Sequence, residues 1–432
     1  MKRAGQKIIE RRKKDMMNRK IKSYGILWVV LILVLFMGIV ATRDGQAASP
    51  AAKHLKIGII LPLTGYMSGI GEGWRYGFEL FFDKLNKEGG LKVGAERYLV
   101  DLRIQDAFNA DTAASATNKL VYDDNVKFII GGLGSDVVIR TIYKTTSSAG
   151  VLHCIVWAIN PGGVCDPAMD RPLLVRLATG PGGNFRGLYS YFLEKYPKVK
   201  KVIYIKSEAP VTFAGYLESV MKEKGIEFFN LKINPSAPDY SPYWTSALQY
   251  KPDAVHIVNA AYTSGMIKAG RELGFKGPII SDSPEGPDVM LRIAGSVNCT
   301  DIISGGVDVN SPNVPKAMKE VRDRWIAAHP HKTFISDSLW AWDEAWALAQ
   351  AIERAKSIDP QVVLKAFETM TEPGSIQTLF GPAYMGGSKV DGIGVNRVLF
   401  KPYALSHIMK GESNLVKFLP PDYTGFVREK YW

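Results

Sequence analysis

The sequence predicts an α/β fold of two lobes, each built on a parallel central sheet, and three observations carry that prediction. From Leu55 onward short β-type runs alternate with amphipathic helical stretches, the pattern that buries a parallel sheet between helical layers. The pattern runs once, is broken by the Gly/Pro-rich Thr179-Gly180-Pro181-Gly182-Gly183, and then restarts. With 432 residues, 46% hydrophobic and 22% charged, the chain is too apolar for disorder and long enough to bury two cores.

The elements follow in order. Leu55 to Leu61 is a continuous apolar strand; Trp74, Phe78, Phe81, Phe82 and Leu85 then recur at helical spacing until Gly89-Gly90 stops the helix. Tyr98 to Asp106 alternates as a strand near a sheet edge does. A helix over 111–124, a strand over 126–130, a helix over 136–149 and a strand over 152–157 complete the first series. After the break, Leu173 to Leu177 leads into helices over 184–195 and 213–224 flanking a strand at 201–206. Strands at 227–233, 254–258 and 278–281 follow, separated by helices near 243–250 and 264–273. No short internal repeat occurs.

The formal net charge of +12 suggests a polyanionic partner until it is located. Residues 1–49 hold eleven Lys and Arg against three acids, a surplus of eight that leaves the body mildly basic. No run of Lys and Arg with interleaved aromatics follows Lys53, which excludes nucleic acid. The N-terminus reads as an export signal over 1–47. A basic stretch runs through Lys20 and Lys22, an uncharged apolar run from Gly25 to Ala41, and small residues at Gly45-Gln46-Ala47-Ala48 suit cleavage. The apolar run is shorter than the roughly 20 residues that span a bilayer, so a cleaved signal is expected rather than an anchor. Initiation at Met16 or Met17 would shorten the basic region to ordinary length.

Three cysteines cannot make a disulfide framework: Cys154 lies inside an apolar strand, while Cys165 and Cys299 lie in loops open to one bridge. The histidines are not spaced as metal ligands, and no metal or cofactor is implied. Gly69-Ile70-Gly71-Glu72-Gly73 has the wrong spacing for a dinucleotide loop, so a nicotinamide-dependent oxidoreductase is a remote alternative. No Gly-x-Ser-x-Gly elbow, Walker loop or His-Glu-x-x-His occurs, and no catalytic residue is assigned.

Chemistry points to one candidate site. Gly131-Gly132-Leu133-Gly134-Ser135 ends a strand and opens a helix, so backbone N–H groups and a positive helix end face the sheet's carboxyl edge, where an anionic group is favoured. Gly132 and Gly134 allow close backbone approach, and the Ser135 hydroxyl can donate to a carboxylate. The same residues also read as an ordinary helix cap at Ser135 or Asp136. Glu285 lies in a turn-rich loop after a strand of the second series, where it is either a ligand-facing acid or a solvated one, with Asp282 as a substitute.

The body resembles the periplasmic leucine/isoleucine/valine-binding proteins over roughly 53–400. The residues that carry the resemblance are Ile57-Gly58-Ile59-Ile60-Leu61-Pro62-Leu63-Thr64-Gly65, Gly77, Asn86-Lys87-Glu88-Gly89-Gly90, Phe128-Ile129-Ile130-Gly131-Gly132, Ala158-Ile159-Asn160-Pro161, Ser283-Pro284-Glu285-Gly286, and the helix from Trp342-Asp343-Glu344-Ala345 to Ala355. The resemblance implies two Rossmann-like lobes joined by a three-stranded hinge, the type I periplasmic-binding fold. With crossovers near Arg176, Gly306 and Gly381, lobe 1 is 53–176 plus 306–380 and lobe 2 is 177–305 plus 381–432.

By the same resemblance Ser135 binds the carboxylate of an amino acid or related ligand, and Glu285 pairs its ammonium across the cleft. The chain departs from the family at Ile159, where the family has a threonine touching both ends of the ligand; Asn160 or the Ala158 carbonyl can compensate, or the ligand is an amide, an aromatic acid or another carboxylate. Tyr66, Trp157, Phe213 and Tyr262 match cleft-lining segments and offer aromatic walls, although Trp157 reads equally as core. Trp340, Trp342 and Trp346 read as packing between lobes. The function implied is a periplasmic, monomeric substrate-binding protein that delivers its solute to the permease of an ABC importer. The alternative is a membrane-anchored sensor of the same fold.

Overall fold

The computed structural model describes residues 16–17, 53–133, 136–156, 173–178, 182–207, 213–258, 262–282, 285–332, 334–388 and 394–424. The chain divides into two units, Met1–Ala52 and Lys53–Trp432. Apart from Met16 and Met17, the expected export signal lies outside the described residues; the second unit is the subject below.

Its first series runs β1 (Lys53–Leu61), α1 (Ser68–Lys87), β2 (Leu91–Val93), β3 (Glu96–Asp106), α2 (Ala110–Asn118, continuing as one π-helical turn), β4 (Phe128–Gly131), α3 (Asp136–Ser148), β5 (Leu152–Ile155) and β6 (Leu174–Arg176). The second runs α4 (Gly182–Lys195), β7 (Lys201–Ser207), α5 (Phe213–Glu223), β8 (Glu227–Ile233), α6 (Ser241–Gln249), β9 (Ala254–Ile257), α7 (Thr263–Glu272), β10 (Ile279–Ser281), α8 (Pro287–Ala294) and β11 (Ile302–Ser304). The remainder is α9 (Lys316–Ala328), α10 (Ser338–Ala355), α11 (Pro360–Thr369), β12 (Ile376–Thr378), β13 (Gly381–Gly386), β14 (Val398–Phe400), β15 (Tyr403–Met409) and β16 (Glu412–Leu419).

Two sheets result, in the orders β12-β13-β14-β6-β5-β4-β1-β3-β2 and β16-β15-β11-β10-β9-β7-β8. The first is parallel through the middle and antiparallel at both ends, and the second is antiparallel only at its β16-β15-β11 end and parallel from there to β8. The α/β expectation of two parallel-dominated sheets is met, with one boundary corrected. Residues 381–400, placed in the second lobe by the sequence reading, form β13 and β14 of the first sheet, because Val398 pairs in parallel with Arg176 and extends that sheet. The third crossing therefore falls at Lys401-Pro402, not at Gly381.

Strand alternation assigns the core. Ile57, Ile59 and Leu61 of β1 turn to the face covered by α1 and α10, while Ile60 joins Ile129, Val138 and Ile142 on the opposite face. Each such burial contributes about 1.5–3 kcal/mol. Helices α1 and α10 approach closely because Gly77 has no side chain: a Cβ there would collide with Ser338 O and Ala341. Trp342 meets Phe81 edge-on at 5.3 Å, inside the first lobe. Trp340 packs at a tilt on Phe380, centroids 4.6 Å apart, and reaches Tyr403 of the second sheet at 6.0 Å, so it touches both lobes.

The third crossing is anchored on both sides. Lys401 Nζ lies 3.0 Å from Asp343 Oδ2 with both side chains fully buried, and 4.3 and 4.5 Å from the ring centroids of Trp340 and Phe380. Asp343 also accepts the Leu379 N–H at 2.6 Å. Two residues on, the Tyr403 hydroxyl donates to Asp282 O at 2.6 Å, in a space left by Gly305, where any Cβ would collide with the phenol. Cys154 and Cys299 are buried free thiols, the latter donating to Met290 O at 3.4 Å. A bridge from Cys299 is thus not formed, and Cys165 lies outside the described residues.

Candidate functional site

All three crossings join the two sheets at their carboxyl edges. Strands β6, β11 and β14 end there; β15 runs antiparallel to β11 and so begins there. Phe400 and Tyr403 are three residues apart, a reach of about 11 Å at most, so the two edges adjoin. Loops following the strands of open α/β sheets at this edge are where ligands bind.

On the first-sheet side, Asp106 at the end of β3 holds the loop after β1. Its carboxylate accepts Leu63 N–H at 2.7 Å and the Thr64 hydroxyl at 2.6 Å, and the chain then turns at Gly65, φ 76°. Tyr66 follows, 51% exposed at this edge, its phenol pushed up by partial burial. Gly132, at φ 90°, carries β4 into the loop before α3; a side chain there would meet Ile139 at 2.8 Å. Gly134, Ser135, Trp157, Ala158, Ile159 and Asn160 lie outside the described residues, as does the side chain of Phe213 at the start of α5.

On the second-sheet side, Glu285 is 6% exposed, which excludes the solvated-loop reading. Its carboxylate accepts both the backbone N–H of Ser264, at 3.0 Å, and the Ser264 hydroxyl, at 2.8 Å, in the first turn of α7. The positive helix end and two donors favour the charged form, yet burial outweighs them and raises the carboxyl to about 8, with Asp288 adding to the rise and Arg292 opposing it. Tyr262, directly before α7, is buried with its ring 6.3 Å from that of Tyr240. Tyr262 lies two residues before the Ser264 that Glu285 bonds.

Asp282, the substitute acid, faces the lobe interior instead. Its Oδ2 lies 3.5 Å from His256 Nε2, and the Tyr189 hydroxyl lies 2.8 Å from His256 Nδ1. Burial first, and then the Asp282 charge, holds the Tyr189, Tyr204 and Tyr403 phenols well above their ordinary range.

The sequence reading missed the first-lobe residues that pack against the loop carrying Glu285. Ser336, ahead of α10, donates to Asp288 Oδ1 at 2.6 Å, and only glycine fits at 286 because a Cβ there would collide with Ser336 Oγ. Asp337 is 2% exposed. Burial first, then the charges of Asp288 and Glu285, keeps its carboxyl well above the usual carboxylate range; Asp288 is raised by burial to about 6. Asp-Ser before an apolar helix reads as a cap, so no local signal marks Asp337 as facing the junction. Among the described residues no group of three or more His, Cys, Asp and Glu is arranged to hold a metal ion. The arrangement is suited to binding, with polar groups supplied from both sides of the junction.

Residues 54–400 match the family described as periplasmic binding protein. Leu/Ile/Val-binding protein homolog 1 of Brucella suis is 25% identical over 354 residues, covering 80% of this chain and 90% of that protein. The structure resembles the branched-chain amino acid transporter substrate binding protein LivJ from Streptococcus pneumoniae in complex with isoleucine, at TM-score 0.68 and 18% identity over 85% of this chain and 100% of that one. It equally resembles a solute binding protein of an ABC transporter from Rhodopseudomonas palustris in complex with 3,4-dihydroxy benzoic acid, at TM-score 0.69 and 18% identity over 85% and 98%.

Proposed function

The chain belongs to the periplasmic binding protein family, and from that premise we propose that it is an exported solute receptor of an ABC importer. It encloses an amino acid or a related carboxylate or amide between two lobes, 53–176 with 306–400 and 177–305 with 401–432, and presents the closed form to a membrane permease. The observation that carries this reading is Glu285, a buried acid gripped by Ser264 at the edge where all three crossings meet. Relatives named for leucine, isoleucine and valine, and neighbours holding isoleucine or a dihydroxybenzoate, support a solute of that size. In this reading Ser135 with Gly134 receives the carboxylate, Ala158, Ile159 and Asn160 its flank, and Tyr66, Trp157, Phe213 and Tyr262 the side chain.

Closure follows from linkage: a solute touching groups on both lobes has contacts in the closed form that the open form lacks. A thermal-shift screen of amino acids, amides and aromatic acids tests the proposal. A solute at a thousandfold excess over its Kd stabilises by about 4 kcal/mol, so a true ligand raises the melting temperature by several degrees. Uniformly unmoved melting across the panel would sink the receptor reading.

A further inference from the structure

Beyond β16 the described residues run on to Thr424, and this tail is fastened to the second lobe by three hydrogen bonds. The Asp422 N–H donates to Gly183 O at 2.7 Å, in the first turn of α4. Thr424 O accepts Arg186 Nε at 2.5 Å and the Tyr216 hydroxyl at 2.8 Å, from α4 and α5. Arg186 is itself steadied by Glu223, 3.0 Å away. Asp422 Oδ1 accepts the Thr424 N–H at 2.9 Å, which folds the tail into a tight turn.

The residue between these anchors reaches the other lobe. Tyr423 stacks on Phe400, with ring centroids 5.1 Å apart and planes 25° from parallel, and Phe400 is the last residue of β14, in the first sheet. Glycine at 183 makes the room, since a Cβ there would come within 2.7 Å of the Tyr423 ring. The tail thus returns to the residue from which the third crossing departs. Phe400, Lys401-Pro402, β15, β16 and the tail form a covalent path that Tyr423 shuts with a ring contact. A rotation at Lys401-Pro402 that swings β15 and β16 away from the first sheet separates the two rings. They are together in the arrangement in which Ser336 of the first lobe bonds Asp288 of the second.

We propose that residues 420–424 are a hinge strap: Tyr423, by stacking on Phe400, holds the lobes in this docked arrangement and sets how readily they part. A contact made in one arrangement and lost in another biases the equilibrium toward the first, and an aromatic stack is enough to shift it about two- to tenfold. The inference rests on the two-lobed fold and on no particular solute, so its failure leaves the receptor reading standing.

Small-angle X-ray scattering and hydrogen exchange on the whole protein, with no solute added, test it. Tyr423→Ala is expected to enlarge the radius of gyration and to speed exchange about two- to tenfold over 285–290 and 334–339, where the lobes meet. Exchange within the central strands, over 57–60 and 202–205, should stay as it was, a separation that a merely structural role would not give. Gly183→Ala, which displaces the ring without removing it, should open the lobes in the same way, while Tyr423→Phe, which keeps the ring, should behave as the unsubstituted protein. An unchanged radius and unchanged junction exchange in both alanine variants overturns the strap. So does faster exchange spread equally over the central strands, or a Tyr423→Phe variant that opens as far as Tyr423→Ala.

Discussion

Glu285 and Asp337 set how the empty protein responds to pH. The Glu285 carboxyl is held at about 8 against an ordinary 4.5, because burial outweighs the Ser264 donors, with Asp288 reinforcing and Arg292 opposing; Tyr240 and Asp337 also face it. Between those values the folded state keeps a proton that the unfolded chain has lost. Stability therefore falls as pH rises, by about 1.4 kcal/mol per pH unit for one such group, and levels off above about pH 8. Asp337 adds to the same slope from the carboxylate range upward. Urea unfolding from pH 5 to 8 should show this decline, and Glu285→Gln should remove about one group's share; an unaltered slope in the variant would contradict the buried-acid account. The sequence revealed Glu285 because a turn-rich loop after a strand is a recognisable setting. It concealed Asp337, which is packed against Gly73, a residue far away in the chain whose missing side chain lets α1 come close.

At the scale of elements, most of the two series was legible because apolar periodicity and glycine stops report helix and strand directly: β1, α1, β3, α3, α4, β8 and α7 fall within a few residues of their expected bounds. Helix α2 also carries a signal that can be measured. Asn109 Oδ1 accepts Thr112 N–H at 2.9 Å, while Thr112 Oγ1 accepts Asn109 N–H at 3.2 Å, a reciprocal cap. Asn109→Ala should cost about 0.5–2 kcal/mol, seen as a lower denaturant midpoint; an unshifted midpoint would show that tertiary packing alone sets this helix start. Among the elements that sequence did not reveal are β12, β14 and the hairpin β15–β16. The first two are three residues long, below the length at which alternation is readable. The hairpin turns at Lys410 and Gly411, both at positive φ, and only the glycine advertises such a turn.

For the whole molecule, the decisive segment is the two-residue connection at Lys401-Pro402, some twenty residues beyond the crossing near Gly381 that the family resemblance implied. Lys401 ties it to the first lobe through Asp343, with the rings of Trp340 and Phe380 packed beside the ammonium. Lys401→Met should cost about 3–5 kcal/mol, since it strands a buried carboxylate, and equilibrium unfolding measures this; a loss below about 1 kcal/mol would mean the pair does not hold the crossing. The same segment governs the order of assembly. Strand β14 supplies the neighbour of β6, and β15 that of β11, both made long before. A nascent chain that has not yet delivered residue 398 carries two open sheet edges, each a template for pairing with another copy. Neither half can seal itself ahead of the other, so translation must reach its last stretch before any part of the body is safe from its siblings.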